Sequence, residues 1–173
     1  MRLLSNSIFF CRPNEAPPQG DFAIEVSYIT LPNDKLFEAI CMGAQTSGHP
    51  GIYIGLLTKG ILEEVPTLLQ RFDNHEPGSS SNELAYSGRI RKLRKKKRSV
   101  GHLNGEEFAI STSIDGKQFY AFQFEYEGTL ESNTRPYVAI ELGTHEEGSN
   151  FTSDDEALAF WDRMLANFKP LSE

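Results

Sequence analysis

The sequence predicts an α+β fold: an antiparallel β-sheet with a C-terminal amphipathic helix and one mid-chain helix packed on one face. Three observations predict it. Apolar residues alternate with a period of two in several short stretches, Phe22, Ile24, Val26 and Tyr28 being the first. Asp115-Gly116, a favoured two-residue hairpin turn, separates two further stretches of strand character. From Ser153 onward the apolar spacing lengthens to that of a helix, and capping residues mark where that helix starts.

Taken in chain order, the Phe22–Tyr28 strand is ended by Pro32, Asn33 and Asp34. Leu36–Met42 and Gly51–Leu57 read as two more strands around the loop Gln45–Gly51, and the first of them reads equally well as a short helix. Beyond Gly60, residues Ile61, Val65, Leu68, Leu69 and Phe72 share one helical face, with Glu63 and Glu64 as charge for its N-terminus. Pro66 is tolerable there only if the helix begins close to it. His75–Glu83, with Pro-Gly and three serines, reads as a loop. Arg89–Arg98, Glu107–Ile114, Phe119–Tyr126 and Arg135–Leu142 are the remaining strands, the last with Pro136 at its start, where a missing N–H does least harm. In the closing helix Ser153 is the N-cap and Glu156 completes a capping box, while Asp154 and Asp155 suit the positive end of the dipole. Ala157, Leu158, Trp161, Leu165 and Phe168 form its apolar stripe, and Pro170 stops it.

With 173 residues, 39% of them hydrophobic, the chain is most simply one domain over 1–173, either complete or cut from a longer protein. No run approaches the ~18 apolar residues of a membrane span. The start, Met1 to Cys11, is a poor signal peptide because Ser5, Asn6 and Ser7 break its apolar stretch. Cys11 and Cys41 lack metal-ligand spacing and read as two small buried hydrophobes in a reducing compartment, or as one disulfide in an oxidising one.

No catalytic constellation can be assembled. The nucleophile elbow, the phosphate-binding glycine loops and the His-Glu-x-x-His zinc motif are all missing from the sequence. His49, His75, His102 and His145 are scattered through turn-like contexts, and the pairs Glu106-Glu107 and Glu146-Glu147 point to opposite faces if they lie on strands. The expectation is a non-enzymatic protein without cofactor or metal.

Charge, by contrast, is concentrated. Eight of the 17 basic residues fall within Arg89–Arg98, so the rest of the chain carries nine Lys or Arg against 24 Asp or Glu. Such a patch favours a negative partner at low salt. A nucleic-acid or anionic-surface adaptor acting through Arg89–Arg98 is one reading, but no aromatic stacking groups accompany the run, and the sequence pI is near 5.2. A solvated edge strand that resists edge-to-edge pairing is the plainer reading. Contact with a protein partner is the third.

Phe10-Cys11, Leu93-Arg94 through Arg98-Ser-Val-Gly101, Leu103-Asn-Gly-Glu-Glu107, Phe122-Gln-Phe124 with Gly128 and Pro136, Ile140 to Thr144, and Ser153 to Asp162 follow one another in a telling order. That order and spacing resembles the C-terminal domain of the bacterial immunity proteins that neutralise type VI secretion phospholipase effectors. The resemblance implies a binding protein that meets its lipase in the periplasm and blocks access to its active site. It also implies an export signal and an additional N-terminal domain, neither of which this sequence shows, so the periplasmic expectation becomes a cytoplasmic one if the chain is complete. The expected partner contacts are Arg94, Lys95, Lys97 and Arg98, with Glu106 and Glu107 either touching the partner or pairing internally with the basic strand, the internal pairing being the better supported. Phe122, Phe124, Trp161, Leu165 and Phe168 are assigned to the core. The density of Lys95, Lys96 and Lys97 exceeds the family pattern.

Overall fold

The computed structural model describes residues 8–10, 22–24, 27–29, 39–73, 90–132 and 134–168. Its main body is a six-stranded, wholly antiparallel sheet in the order β4-β5-β9-β8-β7-β6. The strands are β4 (Ala39–Thr46), β5 (His49–Lys59), β6 (Arg91–Val100), β7 (Leu103–Ile114), β8 (Lys117–Tyr126) and β9 (Tyr137–Thr144). A separate three-stranded sheet joins β1 (Ile8–Phe10), β3 (Ser27–Ile29) and β2 (Phe22–Ile24). The alternating run expected as one strand over Phe22–Tyr28 thus forms two strands paired antiparallel, with Ile24 opposite Ser27. The helices are α1 (Leu68–Asp73) and α2 (Asp154–Asn167).

The architecture is α+β, with a mid-chain and a C-terminal helix on an antiparallel sheet. The helices do not share a face, however. On β7, Ala109 joins the core beneath α2 with Phe122, Phe124, Ile140, Leu142, Trp161 and Leu165, whereas Phe108 and Ile110 pack with Leu68, Leu69 and Phe72 of α1. Successive strand residues point to opposite faces, and every residue from Glu106 to Thr112 is buried. A strand covered on both sides needs a layer on each. Trp161, Phe122, Phe124 and Leu165 are all in the core as expected, with Phe168 packed at its margin.

The mid-chain helix is shorter than its apolar spacing suggests. A residue preceding proline disfavours helical backbone, so helix starts after Pro66, and Glu63 and Glu64 lie outside it instead of at its N-terminus. Thr67 and Gln70 form a reciprocal capping box, Thr67 N–H donating to Gln70 Oε1 at 2.9 Å and Gln70 N–H to Thr67 Oγ1 at 3.3 Å.

Three turn and cap details position the rest. Asp115 and Gly116 both take positive φ, 51° and 78°, the requirement of a tight hairpin. The expected loop Gln45–Gly51 is mostly strand, with β4 and β5 joined across Ser47-Gly48. At α2, Ser153 Oγ accepts from Glu156 N–H at 3.1 Å, but Glu156 reaches back one residue further than a capping box requires, accepting from Thr152 N–H at 2.6 Å and its hydroxyl at 2.7 Å. Cys41 is exposed and free on β4, where the sequence suggested burial or a disulfide; Cys11, the His75–Glu83 loop and Pro170 lie outside the described residues. Among the described residues no helix is long and apolar enough to cross a membrane.

Candidate partner interface

The basic run is β6, an edge strand of the main sheet. A register irregularity between Lys92 and Arg94 resets its alternation, so that Arg94, Lys96 and Arg98 stand opposite Ala109, Glu107 and Gly105, while Lys95 and Lys97 stand opposite Phe108 and Glu106. The first set shares the face of α2 and the second the face of α1.

On the α2 face the cations are internally engaged. Arg94 Nη1 donates to Glu107 Oε1 at 2.9 Å and to Asp162 Oδ1 at 2.6 Å, and its Nη2 to Asp162 Oδ2 at 3.1 Å. Arg98 Nη1 donates to Glu107 Oε2 at 3.1 Å and to Asp162 Oδ1 at 2.5 Å. Trp161 Nε1 donates to Glu107 Oε1 at 3.0 Å. Glu107 itself is fully buried, at 0% exposure. A buried carboxylate is costly unless its charge is matched and its lone pairs used, and two guanidiniums and an indole do both. The hydrogen bonds to Asp162, and after them the bond to Glu107, raise the Arg94 pKa above its ordinary range against burial, which alone would lower it. Burial alone would raise the Asp162 carboxyl, yet hydrogen bonds from Arg94 and Arg98 hold it below the usual aspartate value. Further along, Arg91 pairs with Asp154 at 2.7 Å in the first turn of α2, and Tyr120 O–H donates to the same carboxylate at 3.1 Å. Burial and the Asp154 charge push the Tyr120 phenol up to about 12. The strand is therefore clamped to both halves of α2.

On the α1 face Lys95 pairs with Asp73 at the end of that helix, and Lys92 lies over the ring of Phe108. Lys97 is exposed beside Glu106, which is nearly buried and accepts from Leu69 N–H at 2.9 Å. Glu106 faces a second buried carboxylate, Glu125, across β7 and β8. Arg71 compensates Glu125, donating to it at 2.5 Å, and Gln123 donates to it at 2.7 Å. Gly105 is required where it stands, because a Cβ there would lie 2.1 Å from the Glu125 carbonyl oxygen.

Of the six residues predicted from sequence, the structure brings Arg94, Arg98 and Glu107 into one cluster and leaves Lys95, Lys97 and Glu106 on the other face. The internal pairing weighed for Glu107 is present; that for Glu106 takes a helix amide as donor. Sequence reasoning missed Asp73, Asp154, Asp162, Arg71 and Glu125, and it missed the indole of Trp161 as a donor. Among the described residues the histidines do not converge: His49 bonds Asn150 Oδ1 at 2.8 Å and packs on Phe151, while His145 lies against Tyr53. No group of three potential metal ligands occurs among the described residues.

Residues 15–170 match the family model described as Tle cognate immunity protein 4 C-terminal domain. The apo structure of the immunity protein TplEi of the type VI secretion system from Pseudomonas aeruginosa is 30% identical with a TM-score of 0.75, over 95% of this chain and 54% of that one. The same protein complexed with "L" peptide gives 30% identity and 0.75 over 94% and 58%. The Tle4-Tli4 complex gives 30% and 0.74 over 94% and 55%. The chain thus spans a little over half the length of these solved relatives. No curated protein sequence matches it. With nearly its whole length accounted for by the family model, the chain belongs to the Tle cognate immunity protein 4 C-terminal domain family.

Proposed function

We propose that this chain is an immunity domain that binds a cognate type VI secretion lipase effector and holds it inactive by blocking its active site. The family match over residues 15–170 carries this reading, and the relative solved in the Tle4-Tli4 complex supports it. In this reading the domain acts in the periplasm as one unit over residues 1–173. It works by shape and charge complementarity, with no catalytic step of its own.

Contact through β6 then falls to exposed Lys97, while Lys95 is held by Asp73 and Arg94, Arg98 and Glu107 act by fixing the strand on α2. The adaptor reading for nucleic acid or an anionic surface is disfavoured by the same geometry, since Arg91, Arg94, Lys95 and Arg98 all have carboxylate partners within the chain. The test is co-purification of the chain with its cognate lipase effector. A stable complex that survives gel filtration supports the proposal, and separate elution at micromolar concentrations sinks it.

A further inference from the structure

We infer that the effector docks on an apolar hollow with an acidic rim at the entrance to α1, and that the matching effector surface presents an apolar side chain flanked by Lys or Arg; this rests on the immunity reading above. The segment from Ile61 to Pro66, which its apolar spacing would have placed in a helix, instead runs non-helically beside the turn after β8. Leu62 is 63% exposed, Val65 55% and Leu130 43%. Val65 and Leu130 line one hollow of about 360 Å³, with Tyr137 and Arg71 also in its wall. Large apolar side chains held at the surface around a concavity mark interaction sites.

The hollow is preformed. Glu131 N–H donates to the Ile61 carbonyl at 2.9 Å, Thr129 N–H to that of Arg135 at 2.8 Å, and Arg71 Nη1 to that of Pro66 at 2.7 Å. Arg71 is itself fixed by buried Glu125. Ordering cost on binding is correspondingly small, which favours affinity.

Charge selects the occupant. Glu64 and Glu127 line the hollow, Glu131 adjoins it through its N–H on Ile61, and Glu63 precedes Glu64; all four are exposed, while Arg71, the cation in the wall, is paired with Glu125. An excess of carboxylates repels an acidic partner and steers a basic one. Glu127 also lines the neighbouring hollow that contains Lys97, so the patch is continuous with the outward end of β6.

The experiment compares binding of the cognate lipase effector by the wild-type chain, Val65→Asp/Leu130→Asp, Glu63→Lys/Glu64→Lys, and Met42→Asp as an exposed apolar control on β4. Calorimetry at low and moderate salt and residual lipase activity are the readouts, with thermal melts to establish folding. The inference expects the first double variant to bind at least tenfold more weakly, the charge reversal to weaken binding mainly at low salt, and Met42→Asp to match wild type. If both double variants bind and inhibit as wild type does, or if Met42→Asp is equally impaired, the inference is overturned while the immunity reading stands. Self-association of the free chain that Val65→Asp/Leu130→Asp abolishes, with lipase binding unchanged, assigns the patch to a second copy and overturns it too. A wild-type chain that leaves the lipase unbound overturns the immunity reading and the inference with it.

Discussion

Glu107 shows how one side chain can set the character of a strand. Its carboxylate is buried and surrounded by Arg94, Arg98 and the Trp161 indole, so these two arginines of β6 are positioned by it. Replacing it by leucine takes the buried anion from between two guanidiniums and leaves them only the half-exposed Asp162 as a shared carboxylate. Breaking a buried pair from one side costs about 3–5 kcal/mol, and Glu107→Leu is expected to lose that much in urea unfolding; a loss below ~1 kcal/mol would show that the arginines simply turn to solvent. Asp162 adds a pH signature. Its folded pKa lies below the ordinary value, so the stabilisation it supplies is complete above the unfolded-state pKa of about 3.9 and is lost as pH falls through the lower folded value. Urea midpoints between pH 5 and pH 2.5 should fall less steeply for Asp162→Asn than for wild type, and parallel curves would remove Asp162 from the acid response. The cations of this cluster were legible in the sequence as a run, but their partners were not. Arg94 and Asp162 are 68 residues apart, and only the docking of α2 brings them together.

At the level of elements, α2 is the part most fully written in the sequence. Cap, first-turn carboxylates and apolar stripe all agree, and the helix begins where they place it. Ser153→Ala removes the acceptor for Glu156 N–H and is expected to cost about 1 kcal/mol, measured as a drop in thermal midpoint; an unchanged midpoint would mean that the Thr152–Glu156 contacts cap the helix unaided. Trp161→Ala opens a cavity against Phe122 and also strips a donor from Glu107, with an expected loss of about 3–5 kcal/mol in denaturant unfolding. A loss under ~1 kcal/mol would contradict its place at the centre of the core. The hairpin at Asp115-Gly116 was equally legible, since its turn chemistry is local. The segment 61–67 was not. Its apolar spacing fits a helix, yet Pro66 and the Thr67-x-x-Gln70 box both start the helix later, and these local signals outweigh periodicity. The face taken by α1 was hidden for a related reason. Phe108-Ala109-Ile110 is apolar without alternation, the mark of a strand covered on both sides, and such a run does not say which helix covers which side.

The whole molecule carries a formal net charge of −7, with seven of its 17 Lys and Arg residues on edge strand β6 and five of those seven paired with its own carboxylates. That arrangement turns a run suggestive of nucleic acid into a clamp for the C-terminal helix, and leaves Lys97 and the neighbouring acidic-rimmed hollow facing outward. A rigid sheet with a clamped helix on one face and a short helix on the other is suited to presenting a fixed surface to a partner. Titration of the cognate lipase effector with the purified chain, while hydrolysis of a lipid substrate is followed, tests the proposed immunity role: activity is expected to fall in proportion to the chain added and to vanish once the chain is in modest excess, and full lipase activity at that excess refutes the role.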